Sequence, residues 1–255
     1  MRQVKKLLPI FMVLGLILGL VKLQLPVLYT FGPEDSELSR VIYVMDSNLT
    51  DKLITAADTD GKKLAALSFD DGPDPVYTPD VLDILKYYQV KATFFVVGAS
   101  AEAHPGLVKR AVQEGHEIEN HTYSHPDLRS ESEVETADEI LKTDRLIEKL
   151  SGMKGKYFRP PRRLYRQETI EIAEHNGYKT VLWTICAENS KVKTPEEMAK
   201  RVINAARPGM IILAHDGRLD RSTTLAALPL IIKGLQKQGY EFVTLDKLIK
   251  YKADK

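Results

Sequence analysis

The sequence predicts an α/β fold, parallel strands joined by crossover helices, behind an N-terminal membrane-anchor helix. Three observations predict it. From Leu64 onward short β-prone runs alternate with helical patterns. Unusual polar residues follow closely on several of those runs, as expected where the carboxyl ends of parallel strands open on one rim. The chain also begins with a basic and then apolar stretch.

In chain order, residues 1–29 read as a signal peptide or signal anchor. Arg2, Lys5 and Lys6 precede an apolar run from Leu7 to Val21 broken only by Pro9 and glycines, the order of a secretory signal. At about 1.5 Å per residue this run is short for a hydrocarbon core of about 30 Å, so spanning draws on a snorkelling Lys22 and on Leu23 to Leu28. Neither an Ala-x-Ala site nor a lipobox cysteine follows. An uncleaved anchor with its basic end inside is therefore expected ahead of a cleaved signal, with the rest of the chain extracytoplasmic, or secreted if cleavage occurs. Residues 30–63 read as a spacer with a turn at Gly32 and Pro33 and a strand at Val41 to Met45.

Residues 64–255 read as one domain, the one that carries the rim residues. Its β-prone runs are Leu64 to Phe69, Ala92 to Val97, Glu117 to Ile118, Tyr157 to Phe158, Thr180 to Ile185, Met210 to Leu213 and Glu241 to Val243. Helix starts are marked by Thr78 with Pro79, and by the capping boxes Ser132 with Glu135 and Thr194 with Glu197. Gly115, Gly152, Gly177, Gly209 and Gly239 mark where helical patterns stop.

Composition narrows the function. With 44% hydrophobic and 28% charged residues the chain buries a core. Lys plus Arg (36) against Asp plus Glu (35) gives +1, and leaving out Arg2, Lys5, Lys6 and Lys22 gives 32 against 35, or −3. Such a body has no excess of cations to neutralise a phosphate backbone, so nucleic acid is not an expected partner. The single cysteine, Cys186, excludes an intrachain disulfide and a Cys-rich metal site, and reads as a small buried hydrophobe. No residue pattern sets an oligomeric state.

The rim residues carry the chemistry. His121 and His125 stand four apart, a spacing that on one helical turn points both imidazoles toward one small cation. Asp70 and Asp71, before Gly72 and Pro73, fit a turn or a functional pair. Two imidazoles and one carboxylate make three ligands with an open position for water, as in a catalytic zinc site. Adjacent carboxylates divide the work, one ligating and the other facing the water. His215, at the end of another strand, is placed to protonate a leaving group, and Arg159 to orient the base carboxylate and hold it ionised. The predicted reaction class is metal-assisted hydrolysis of an amide or ester. His104, His116 and His175 read as structural, and the helix from Glu131 to Lys149 as a solvated face. Trp183 and Tyr165 read as rings for a sugar, with core packing equally expected of Trp183.

Ser68-Phe69-Asp70-Asp71-Gly72-Pro73, His121-Thr122-Tyr123-Ser124-His125, Phe158-Arg159-Pro160-Pro161 and Leu213-Ala214-His215-Asp216, in this order over about Leu64 to Leu248, resemble the motifs of polysaccharide deacetylases with the NodB homology domain, carbohydrate esterase family 4. The resemblance implies a distorted (β/α) barrel that removes acetyl groups from N-acetylglucosamine-type sugars in peptidoglycan, chitin-like oligomers or exopolysaccharide. It implies Asp70 as base, His215 as acid, and Asp71, His121 and His125 as ligands of a divalent metal, zinc first and cobalt or nickel as alternatives. It also implies the backbone N–H of Arg162 at the oxyanion and Leu213 as the wall of an acetyl-methyl pocket.

Two segments depart from the family pattern. Arg162 and Arg163 stand where an aromatic residue and glycine are common, an extra cation that would favour an acidic glycan or narrow the groove. After Trp183, the positions of the family's aspartates and tryptophan hold Cys186, Asn189 and Ser190, which removes the usual partner of the acid. Either Glu188 substitutes or turnover is slow. The alternative is a catalytically weak, deacetylase-like glycan-binding or sporulation-associated protein. Retention of a metal triad with a separate acid favours catalysis.

Overall fold

The computed structural model describes residues 51–251. The expected anchor over 1–29 and the strand at Val41 to Met45 lie outside the described residues. Among the described residues no helix is long and apolar enough to cross a membrane.

Among the described residues nine strands form one sheet: β1 (Leu53–Ile54), β2 (Leu64–Asp70), β3 (Thr93–Val96), β4 (Glu117–Asn120), β5 (Tyr157–Phe158), β6 (Lys179–Val181), β7 (Ile185–Cys186), β8 (Met210–His215) and β9 (Glu241–Val243). Their spatial order is β1-β6-β5-β4-β3-β2-β8-β7, with β9 beside the start of β2. All of these ladders are parallel. The sheet curls until its ends approach each other, where Ala56 bridges Met210 and the Thr184 hydroxyl donates to the Thr55 carbonyl. This is the expected distorted barrel. β1 lies inside the segment read as a spacer and pairs with β6.

Parallel strands covered on both faces read as continuous apolar runs, and β2 is buried at all seven positions. Its alternate residues Ala65, Leu67 and Phe69 pack outward with Phe94, Val96, Ile212 and Ala214 under the helices. Leu64 and Ala66 face inward with Phe95, Tyr157, Val181 and Ile211. Each such fully buried Leu, Ile or Phe stabilises the fold by about 1.5–3 kcal/mol. The same inward parity carries Ser68 and Asp70 toward the open end of the barrel.

The crossovers are α1 (Tyr77–Tyr87), α2 (Gly98–Ala103), α3 (Pro105–Gln113), α4 (Glu133–Ser151), α5 (Gln167–His175), α6 (Pro195–Asn204) and α7 (Ser222–Lys237), followed by α8 (Leu245–Lys250). Both expected capping boxes form, at Ser132 with Glu135 and Thr194 with Glu197. The start of α1 differs from expectation. Thr78 does not cap it, because its hydroxyl donates to Asp216 Oδ2 at 2.6 Å and accepts from the Asp74 N–H at 2.8 Å. The run expected as one strand from Thr180 to Ile185 breaks after Val181. There the carbonyls of Val181 and Leu182 accept from the Arg159 guanidinium at 3.2 and 3.0 Å instead of from a neighbouring strand, while the Leu182 N–H still donates to the Ile54 carbonyl. Gly209 has φ +76°, and a Cβ there would collide with the Ala57 carbonyl that seals the barrel edge.

His116 is structural. It is buried, its Nδ1 accepts the Ala92 N–H at 3.1 Å, and its ring meets Phe94 edge-on. Burial, helped by the Lys91 cation, pulls this imidazole down to about 4. The folded state therefore keeps it neutral, and its contribution is present above the unfolded value and lost as pH falls from about 6.5 through about 4, by about 3 kcal/mol in all. Urea unfolding across that window should show wild type losing stability relative to His116→Gln as pH falls. A constant difference between the two would contradict this role.

Candidate active site

Strand register assembles the rim. Asp70 on β2 stands opposite His215 on β8, and Ser68 opposite Leu213, which in turn faces Cys186 on β7. Residues in register on parallel neighbours project to the same side, so these five side chains share the inner face. Asp71 follows at the strand end with φ +77°, a strained conformation for a residue with a Cβ.

Asp71, His121 and His125 converge, each buried, with one ligand atom from each lying within 4.8 Å of the others. Asp71 Oδ1 is 3.1 Å from His125 Nε2 and 3.6 Å from His121 Nε2. The two histidines do not share a helical turn. They flank a loop after β4 in which Thr122 and His125 take φ +66° and +62°, and the loop is fixed by side chains. The Thr122 N–H donates to Asn120 Oδ1 at 3.0 Å, and the His125 N–H to Thr122 Oγ at 3.1 Å. Glu139 Oε2 on α4 accepts from the N–H groups of Tyr123 and Ser124 at 2.8 and 2.7 Å. The α4 face read as solvated thus contributes a clamp on the histidine loop, and it also buries Thr136, Thr143 and Asp144.

The donor set fits a metal ion. A backbone carbonyl only accepts, so the 2.7 Å contact between His121 Nδ1 and the Arg159 carbonyl places the proton on Nδ1 and leaves the Nε2 lone pair facing Asp71. His125 Nδ1 is buried with no hydrogen-bond partner among the described residues, and burial lowers the pKa of this ring. Burial alone would raise the Asp71 carboxyl, but its contacts with His121 and His125 hold it well below the usual carboxylate range. The second Asp71 oxygen, Oδ2, accepts from Arg221 Nη2 at 3.0 Å. Arg221 carries no motif signal in the sequence, and only the fold brings it to Asp71.

Asp70 sits beside this group, its Oδ2 3.8 Å from His121 Nε2. Its Oδ1 accepts from Arg159 Nη1 at 2.6 Å. Arg159 is fully buried, holds Ser68 Oγ at 3.0 Å, and lies over the Phe95 ring at 3.9 Å. Breaking such a buried, hydrogen-bonded pair typically costs about 3–5 kcal/mol. Behind the rim, burial pushes the Asp216 carboxyl up to about 7 despite its Thr78 hydrogen bond. A Cβ at Gly72 would collide with that carboxylate, which is a reason for glycine after the aspartate pair.

His215 Nδ1 lies 3.1 Å from Glu188 Oε2. Burial would lower this imidazole, yet the Glu188 carboxylate raises it; reciprocally, burial would raise Glu188 and His215 holds it low. Glu188 thus occupies the role for which the neighbouring positions Cys186, Asn189 and Ser190 offer no carboxylate. Leu213 is 2% exposed, directly below His215 on β8. Arg162 lies in a short turn after β5 with φ +54°, and its Nη2 donates to the His125 carbonyl at 3.2 Å. Trp183 is half-buried against the inner core, with the guanidinium of Arg163 5.0 Å from its ring centre. Tyr165 is buried in a cluster with Ile170 and Leu182.

A sequence profile for polysaccharide deacetylase matches residues 57–181. A Bacillus cereus protein named peptidoglycan-N-acetylglucosamine deacetylase is 42% identical over 193 residues, covering 75% of this chain and 90% of the relative. The solved Bc1960 peptidoglycan N-acetylglucosamine deacetylase, in complex with a naphthyl N-oxidanyl-benzamide, superposes with TM-score 0.77 at 33% identity, covering 81% of this chain and 97% of that one. BA3943 of Bacillus anthracis, described as a CE4 family pseudoenzyme, superposes with TM-score 0.71 at 32% identity over 77% of this chain and 68% of its own. By sequence and by fold, this chain belongs to the polysaccharide deacetylases of carbohydrate esterase family 4.

Proposed function

We propose that this protein is a metal-dependent hydrolase that removes acetyl groups from N-acetylglucosamine-type residues of a cell-envelope polysaccharide, peptidoglycan first. The basic and then apolar amino terminus supports an extracytoplasmic catalytic domain, anchored or secreted. The observation that carries the reading is the convergence of Asp71, His121 and His125 within 4.8 Å, beside the Asp70–Arg159 pair, with His215 in register with Asp70 on the next strand.

Asp71, His121 and His125 would hold the cation, and two imidazoles with one carboxylate suit zinc, with cobalt or nickel as substitutes. When bound, such an ion supplies Lewis acidity, polarising the acetyl carbonyl and acidifying water. Asp70 acts as base: Arg159 occupies its Oδ1, leaving Oδ2 to take the proton of the attacking water. His215, its Nδ1 turned to Glu188, presents Nε2 to the substrate and protonates the departing amine nitrogen as the C–N bond breaks. Acetate and a free sugar amine result. The backbone N–H of Arg162 is assigned to the oxyanion, Leu213 to the wall around the acetyl methyl, and Trp183 to the border of the groove. The exposed Arg162 side chain favours a glycan carrying negative charge.

The competing reading, a glycan binder with weak chemistry, rests on Cys186, Asn189 and Ser190. The Glu188 contact to His215 supports catalysis instead, because it restores a carboxylate partner for the acid. Acetate release from N-acetylglucosamine oligomers and from peptidoglycan, with and without added zinc or cobalt, separates the two. The enzyme reading requires metal-stimulated release from at least one glycan. Binding without release from any of them would establish the other.

Two variants test the roles. Asp70→Asn should bind metal like wild type while kcat drops on the order of 10²–10⁴-fold, whereas His121→Ala should lose metal as well; an active Asp70→Asn enzyme removes it as base. For Glu188→Gln, loss of the carboxylate lowers the pKa of the His215 acid. The alkaline limb of kcat/KM should therefore move to lower pH. An unmoved limb takes Glu188 out of the mechanism.

A further inference from the structure

Apart from the Asp71 centre, one further group of metal-binding side chains converges among the described residues. Donor atoms of Cys186, Glu188 and His215 lie within 4.8 Å of one another. Two of these donors are set by backbone pairing. Cys186 on β7 stands opposite Leu213 on β8, and because side chains alternate along a strand, Cys186 and His215 project to the same side. The third is oriented through its other oxygen. Glu188 Oε1 accepts from Thr224 Oγ at 2.8 Å and from the His215 backbone N–H at 3.0 Å. That arrangement turns Oε2 to the Cys186 sulfur at 3.6 Å and to His215 Nδ1 at 3.1 Å.

A sulfur, an imidazole nitrogen and a carboxylate oxygen, with outer hydrogen bonds fixing the carboxylate, form the donor chemistry of zinc or cadmium. All three residues are half-buried, which leaves an approach for the ion and a solvent ligand. Nothing in the proposed deacetylation uses the Cys186 sulfur.

We propose that Cys186, Glu188 and His215 form a second, inhibitory site for a thiophilic divalent cation. Binding releases the thiol proton to solvent and places the ion on the sulfur, Glu188 Oε2 and His215 Nδ1. An imidazole metallated at Nδ1 keeps a single proton at Nε2 and cannot become the imidazolium that protonates a leaving amine. Metal in excess of what the Asp71 centre takes up therefore suppresses turnover, and withdrawing it restores activity. The inhibitory role rests on the proposed function of His215, whereas the binding site itself does not.

The test titrates the full chain with cadmium while recording ultraviolet cadmium–thiolate charge-transfer absorption. A parallel titration follows acetate release against zinc. Because the chain has one cysteine, a thiolate band reports this site alone. The expected result is a saturable band in wild type that persists in His125→Ala, which lacks a ligand of the Asp71 centre, and is lost in Cys186→Ser. Zinc in excess should suppress acetate release by wild type but not by Cys186→Ser, whose turnover at one equivalent of zinc should match wild type. Absence of the band in wild type overturns the site. A band accompanied by turnover insensitive to excess zinc overturns the inhibition. If wild type releases no acetate from any glycan, the deacetylase reading and the inhibitory role fail together, while the band still decides whether the cation site exists.

Discussion

Arg159 ties the centre together from both of its ends. Its backbone carbonyl accepts a hydrogen bond from the His121 Nδ1–H and so presents that ring's Nε2 lone pair to Asp71, while its guanidinium grips Asp70 Oδ1. One buried residue thereby fixes a ligand and the neighbouring carboxylate in a single frame. The frame is rigid because the guanidinium is also held by the carbonyls of Val181 and Leu182 and by Ser68, and stacks on Phe95. Lysine could not make this set of contacts, since a single ammonium lacks the planar fork.

The scaffold concentrates negative charge and then balances it. Asp70, Asp71 and Asp216 cluster at the ends of β2 and β8, and leaving three buried carboxylates unbalanced would be costly. Arg159 offsets the first and Arg221 takes one oxygen of the second. Burial raises the carboxyl of the third to about 7, against the Thr78 hydroxyl that donates to it. What remains facing the histidines is one oxygen of Asp71 and one of Asp70, an arrangement that invites a cation.

Much of this was legible in the sequence, because parallel strands buried on both faces leave long apolar runs and their ends leave abrupt polar punctuation. Asp70, His121, Arg159 and His215 each follow or close a strand, so strand ends located the site. Two capping boxes and the stop glycines carry local signals that tertiary packing did not override. Thr78 misled because the hydroxyl that would cap a helix was taken by Asp216, a partner 138 residues away. The histidine pair converged for a reason other than helical spacing: a loop with two left-handed residues, held by Glu139, whose neighbours in sequence suggest only a solvated helix. Arg221 and the Glu188 contact to His215 depend on long-range packing around β8 and α7. Local pattern carries no trace of Arg221 as a partner of Asp71, and it suggested Glu188 only through the missing carboxylates nearby.

Diffraction from zinc-soaked crystals at wavelengths on either side of the zinc absorption edge addresses the central claim directly. The account predicts an anomalous peak bounded by Asp71 Oδ1, His121 Nε2 and His125 Nε2, with Arg221 still on the other Asp71 oxygen. Zinc bound elsewhere on the chain with those three atoms bare would contradict it.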